Sequence, residues 1–400
     1  MPFSYPWFSG LCLSLLVSFF LSGCQQTPDL SAKTVNAESL LRDSAFQKLP
    51  LLVETEQQIF ELPDEAVRQA RQQVLSYTYA HERSLALLTF IFGDAAEPLE
   101  YVNNATLIAS DTLQKKEANC LSLTILAYSL AQQLGFDAHF QDVDVPEYWI
   151  TRSGNSMLNG HVNLMIYPNK NVLASQHMMV FQGNGYLIDF DMVPQHARQQ
   201  AKRISKQTIV AMFYNNKAGD AMMLGQYDLA YKYLKAGIAV APKLAQNWNN
   251  LAVLYRKKDM FAEAEQVYLH SLQLQPEHTN TMANLALLYQ MTGRAEQAEE
   301  LEIQVQRKRQ LNPYYFIMLG NEALERQESD AAISHFRRSL RLQPHVPEAY
   351  FGLARSFILQ QNLPEASRYL QAAKRHTDSG TEKKRYQFKL DMLNTVARQY

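Results

Sequence analysis

The sequence is poor in cysteine, in net charge and in long apolar runs. Only three cysteines occur in 400 residues, Cys12, Cys24 and Cys120, too few for a disulfide framework. Lys and Arg number 38 against 39 Asp and Glu, a formal net charge of −1. That balance leaves no electrostatic footprint for a polyanion, so no nucleic-acid partner is expected. The first ten residues, MPFSYPWFSG, hold no Lys or Arg. The uncharged stretch from Leu11 to Cys24 is too short for a comfortable membrane span and suits a signal-peptide core. No metal-ligand spacing, phosphate-binding glycine loop or nucleotide fingerprint is present, so no metal or cofactor is expected. What remains is an ordinary globular composition, 47% apolar and 19% charged, with room for two or three domains.

The apolar stretch ends in LSGC, Leu21–Cys24. This resembles the bacterial lipobox, in which a small residue precedes a cysteine that is lipidated, palmitate included, and becomes the mature N-terminus. The missing basic n-region departs from the usual signal peptide. By this resemblance residues 1–23 are a lipoprotein signal peptide and Cys24 is the anchor to a membrane. Gln25 and Gln26 follow, with no aspartate, which by the same resemblance implies an outer-membrane protein facing the periplasm. Residues 24–38 are polar and read as a tether. Cleavage and lipidation would leave Cys120 as the only free thiol, a residue to examine for reactivity.

Helical signals come first in the chain. LPDEAVRQARQQVLSYTY opens with Pro63-Asp64-Glu65, and RSLALLTFIFG ends in Gly93. A third helix runs from Cys120 to a Gly135 cap. After it, DAHFQDV, HVNLMIY, NVLASQHMMVF and GYLIDFD read as strands of a small, mostly antiparallel sheet. Residues 39–210 are therefore expected to form an α+β domain. Beyond it the chain repeats. Ala230, Ala264, Ala298, Ala332 and Ala366 recur every 34 residues, as do Leu251, Leu285, Leu319 and Leu353 and the bulky Trp248, Met282, Phe316 and Tyr350. Pro242, Pro276 and Pro344 close repeats, while Pro313 comes late, as if after a three-residue extension. Small residue, large residue and closing proline at this period are the signature of tetratricopeptide repeats, stacked helical hairpins. Five repeats are expected over 213–378, an all-α solenoid, with a capping helix over 379–400.

Cys120 follows Asn119, a good N-cap. A helix N-terminus favours thiolate over thiol, and its N–H groups can hold an oxyanion. A nucleophile needs a base and an orienting group. His161 opens the strand HVNLMIY, and Asp189 and Asp191 alternate on GYLIDFD. The run NCLSLTILAYSLAQQLGFDAHFQDVDVPEYW, then GHVNLMIY, then GYLIDFD, resembles the transglutaminase-like, papain-like core, over about 60–193. The order resembles bacterial transglutaminase-like proteins followed by tetratricopeptide repeats. The resemblance implies Cys120 as nucleophile, His161 as base and Asp189 as orienting carboxylate, with Asp191 the alternative. It implies acyl transfer at an amide of a protein or peptide. Ala118 stands where the family commonly has glycine. Members that have lost activity keep the fold, so a non-catalytic adaptor is the alternative reading. In either case the repeats are expected to bind a protein or peptide in a groove, with Asn249, Asn250, Asn284, Arg256 and Lys257 as its polar residues.

Overall fold

The computed structural model describes residues 37–48, 50, 53–93, 98–152, 155–167, 181–182, 185–188, 201–377 and 380–397. Cys24, the LSGC motif, His177, Asp189 and Asp191 lie outside the described residues.

Two 3-10 turns, Ala37–Leu40 and Asp43–Ala45, come first. They lead to α1 (Glu56–Phe60), α2 (Asp64–Val74), α3 (Ala80–Phe92), β1 (Glu100–Tyr101), α4 (Ala109–Lys115), β2 (Glu117–Ala118) and α5 (Cys120–Gln133). Strands follow: β3 (Asp137–Arg152), β4 (Asn155–Tyr167), β5 (Phe181–Gln182), β6 (Gly185–Ile188) and β7 (Ala201–Ile204). Among the described residues the main sheet has the order β5-β6-β4-β3-β7, every pair antiparallel. Helices precede sheet, as the change of hydrophobic period requires. α5 ends at Gly135, whose φ of +79° lets Phe136 N–H reach back to Ala131 O, a Schellman closure. Its apolar side, Ile125, Leu126 and Leu130, shares one buried core with Val162, Leu164 and Ile166 of β4 and with Ala138 and Phe140 of β3.

The rest is helical: α6 (Lys206–Met223), α7 (Tyr227–Val240), α8 (Ala245–Lys257), α9 (Phe261–Leu274), α10 (Thr279–Met291), α11 (Ala295–Arg309), α12 (Pro313–Glu325), α13 (Ser329–Leu342), α14 (Pro347–Leu359), α15 (Leu363–His376) and α16 (Gly380–Ala397). α6 starts at Lys206, so the 210/213 division expected from the sequence falls inside a continuous helix. The periodic alanines are fully or almost fully buried, and Trp248, Leu251 and Leu285 with them. Trp248 Nε1 donates to Pro242 O at 2.7 Å, and Tyr350 OH to Pro344 O at 2.8 Å. In these two repeats the large residue thus bonds the proline that closes the repeat before it.

One expectation is corrected. The late Pro313 marks no insertion: first helices start at 245, 279, 313 and 347, in phase throughout. Pro313 is the first residue of α12, where a missing N–H costs nothing. The core, however, breaks there. One buried cluster takes in the first domain and the repeats up to Val305, and a second begins at Tyr314. Phe316 and Leu319, in phase with the buried Trp248 and Leu251, are only half-buried. α12 packs instead on β3.

The first domain is also fastened to the opening repeats. Phe46 stacks on Tyr231 with centroids 4.0 Å apart, and Tyr255 OH donates to Leu40 O at 3.0 Å. Asp43 accepts from Lys235 Nζ at 2.7 Å and Tyr231 OH at 2.8 Å. These bonds, that of Lys235 foremost, hold its carboxyl below the ordinary aspartate range.

Candidate functional site

Cys120 is the first residue of α5. Asn119 before it is extended, and its Oδ1 accepts from Ser122 N–H at 2.9 Å, the N-cap bond its residue type favours. Asn119 Nδ2 donates to Thr106 Oγ1 at 2.8 Å. Ser122 Oγ donates to Ala105 O and accepts from Leu107 N–H, both at 2.8 Å. The first turn of α5 is thus stapled to the loop at 105–107. Ala118, two residues before Cys120, is fully buried in the core, where its methyl fills space.

Cys120 and Thr124 lie one turn apart and both meet β4. Cys120 Sγ lies 3.9 Å from Gly160 O, and Thr124 Oγ1 lies 3.4 Å from Val162 O. The helix start is therefore brought against the residue immediately preceding His161. Cys120 is 8% exposed and His161 3%. Alternation along β4 sets His161, with Asn163 and Met165, on the face opposite Val162, Leu164 and Ile166, which pack with α5. The thiol thus meets the backbone beside His161. Among the described residues no group of three or more His, Cys, Asp or Glu is arranged to hold a metal.

The polar residues of the repeats form a second constellation. Asn250 Nδ2 donates to Asn215 Oδ1 at 2.9 Å, Asn249 Nδ2 to Asn250 Oδ1 at 3.1 Å, and Asn284 Nδ2 to Asn249 Oδ1 at 3.0 Å. The line crosses α6, α8 and α10, the first helices of three successive repeats. Every bond points the same way, so each amide polarises the next. Asn249, Asn250 and Asn284 were legible as polar residues in phase; Asn215 was missed, although it lies 34 residues before Asn249. Arg256 is set apart in the last turn of α8, with Nη1 3.8 Å from Met291 Sδ, and Lys257 is exposed.

Tetratricopeptide-repeat family models match residues 243–307 and 317–380. The BBSome complex member BBS4 homolog of Drosophila melanogaster is 24% identical over 137 residues. That match takes in 34% of this chain and spans only 28% of the relative's length. Among solved structures, Pseudomonas aeruginosa PilF is similar at 15% identity and a TM-score of 0.27, covering 49% of this chain and 94% of PilF. Yeast Tom70 is similar at 15% identity and a TM-score of 0.32, covering 47% of this chain and 40% of Tom70. Likenesses this low say nothing about activity or partner. With the in-phase helix starts, buried alanines and family matches together, residues from about 206 to 376 form an all-helical tetratricopeptide-repeat solenoid.

Proposed function

We propose that this chain is a protein-interaction adaptor whose solenoid holds an extended stretch of a partner protein along α6, α8 and α10. The asparagine line carries the reading. Side-chain amides offer donors and acceptors together, which is what a peptide backbone requires. Asn249 and Asn250 each use one donor and one acceptor within the line, Asn284 one donor and Asn215 one acceptor, which leaves capacity for a bound strand on the half-buried Asn215, Asn250 and Asn284. Full-length protein would be selected against a displayed peptide library and the enriched peptides titrated by calorimetry. Asn250→Ala with Asn284→Ala should weaken them about tenfold or more, at roughly 1 kcal/mol per hydrogen bond. Peptides indifferent to both substitutions would end this reading.

The LSGC motif supports a lipid anchor at Cys24 and a place in a bacterial envelope, at the outer membrane facing the periplasm. Labelled palmitate should enter the wild-type protein and not Cys24→Ala. A second reading is acyl transfer by Cys120, His161 and Asp189 or Asp191, which requires the His161 side chain, set by strand alternation on the face of β4 away from α5, to turn toward the thiol. Its support is a thiol in the first turn of a capped helix, against the carbonyl preceding His161. In this reading an acyl donor forms an adduct on Cys120 that Cys120→Ser abolishes. No acyl adduct trapped on Cys120 leaves the adaptor alone.

A further inference from the structure

One junction between repeats departs from the others in sequence and in packing. Elsewhere the second helix stops before a proline. Ala241, Gln275 and Gln343 precede Pro242, Pro276 and Pro344 and hold φ of −137°, −141° and −143°, the extended backbone that a following proline imposes. In the same phase Arg309 precedes Gln310, which imposes nothing. α11 therefore continues through Arg309, and Gln310 still has helical angles, φ −61° and ψ −18°.

The extra helical residue meets the first domain. Arg309 Nε donates to Glu147 Oε2 at 2.7 Å, with side chains only 12% and 21% exposed. Asn312, three residues on, stands where Leu244, His278 and Val346 precede α8, α10 and α14, none of them capping through its side chain. Asn312 does cap: its Oδ1 accepts from Tyr314 N–H at 2.9 Å. Its Nδ2 donates to Glu147 O at 2.6 Å. A guanidinium and an amide thus read the carboxylate and the backbone carbonyl of a single residue.

Glu147 lies in a break of the β3–β4 ladder. Val143 pairs with His161, and the next pair is Tyr148 with Asn159. Residues 144–147 therefore stand opposite Gly160 alone, and a bulge of this kind interrupts pairing locally. Gly160 O is the group beside Cys120 Sγ. The core of the repeats is interrupted at the same junction, where α12 packs on β3.

We propose that the α11–α12 junction is an internal docking site whose occupant is the chain's own bulge at 144–147, and that this docking keeps Gly160 closed over the Cys120 thiol. The junction takes an extended segment bearing a carboxylate. When the bulge leaves, Arg309 and Asn312 lose Glu147, the pairing on both sides of Gly160 loosens, and Cys120 becomes reachable. The inference stands apart from the asparagine line and holds whether or not that line binds a peptide.

The test uses the full chain with Cys12→Ser and Cys24→Ser, so that Cys120 is the one thiol, and follows its native-state reaction with dithionitrobenzoate. Arg309→Gln with Asn312→Ala should accelerate labelling about tenfold or more, the signature of a more populated local opening. Glu147→Arg alone should also label fast. Combined with Arg309→Glu, it should return toward the starting rate. Arg326→Gln, in an exposed pair with Glu328, should leave the rate unchanged. An unaltered rate in the Arg309→Gln, Asn312→Ala chain overturns the proposal, and so does equal acceleration by Arg326→Gln. If Arg309→Gln with Asn312→Ala lowers overall stability by circular dichroism, the charge-exchanged pair decides. Fast labelling of that pair at wild-type stability overturns the proposal; restored protection supports it.

Discussion

His278, immediately before α10, holds a ring whose Nδ1 lies 2.5 Å from Thr281 Oγ1. Burial pushes its pKa down to about 4, because desolvation penalises the charged form. The unfolded chain then binds a proton that the folded chain refuses between the ordinary histidine value and pH 4, so stability falls as pH falls through that window. The protein should lose about 1–2 kcal/mol from this residue between pH 7 and pH 5. Urea unfolding at the two pH values checks this, and His278→Gln should remove that share of the loss. Burial lowers His270, His335 and His376 in the same direction, so some pH dependence survives the substitution. At Cys120 the local chemistry was legible: an asparagine before an apolar helix predicts the cap that Asn119 makes. Its neighbour was not, because Gly160 is 40 residues away and strand register cannot be read from helix signals.

At the scale of elements, each helical hairpin turns through a residue with positive φ. These are Gly225, Asp259, Gly293, Gln327 and Gln361, again 34 apart. A side chain there pays for left-handed backbone that glycine adopts freely. Gln327→Gly and Gln361→Gly should each stabilise the protein by about 0.5–1 kcal/mol despite the looser unfolded chain, while Gly293→Gln should cost a similar amount. Equilibrium denaturation gives the sign. No gain in either glutamine variant would mean that the unfolded-chain entropy of glycine outweighs the strain. The repeats themselves were plainly written in the sequence, since a fixed period is visible without any long-range contact. The irregular junction was visible only as a proline out of place. Its cause, a helix released from its stop at Gln310, emerges from the backbone angles.

The whole molecule divides along its buried clusters rather than along its domains. Among the described residues the first domain and the repeats up to Val305 share one core, and two smaller ones follow, across α12–α15 and across α14–α16. Solenoids transmit stability only through neighbouring repeats, so a broken core should make a boundary of cooperativity. Native-state hydrogen exchange in rising urea should show residues 313–397 opening together, before 206–305. A single opening that includes both blocks would show that the β3 contact with α12 carries the coupling in full. The strap at 37–48, through Phe46, Asp43 and Leu40, should keep the first domain in the more protected block.

By itself the sequence determined the helical period, the order of helices before sheet, the 34-residue repeat on either side of the junction misread at Pro313 and the capped start of α5, because each depends on residues a few positions apart. Tertiary structure alone decided that Cys120 faces Gly160, that asparagines of three repeats bond in one line, and that Glu147 reaches Arg309 and Asn312. Those outcomes depend on strand register and on how one helix stacks on the next, and contacts between residues far apart in the chain leave no period to read.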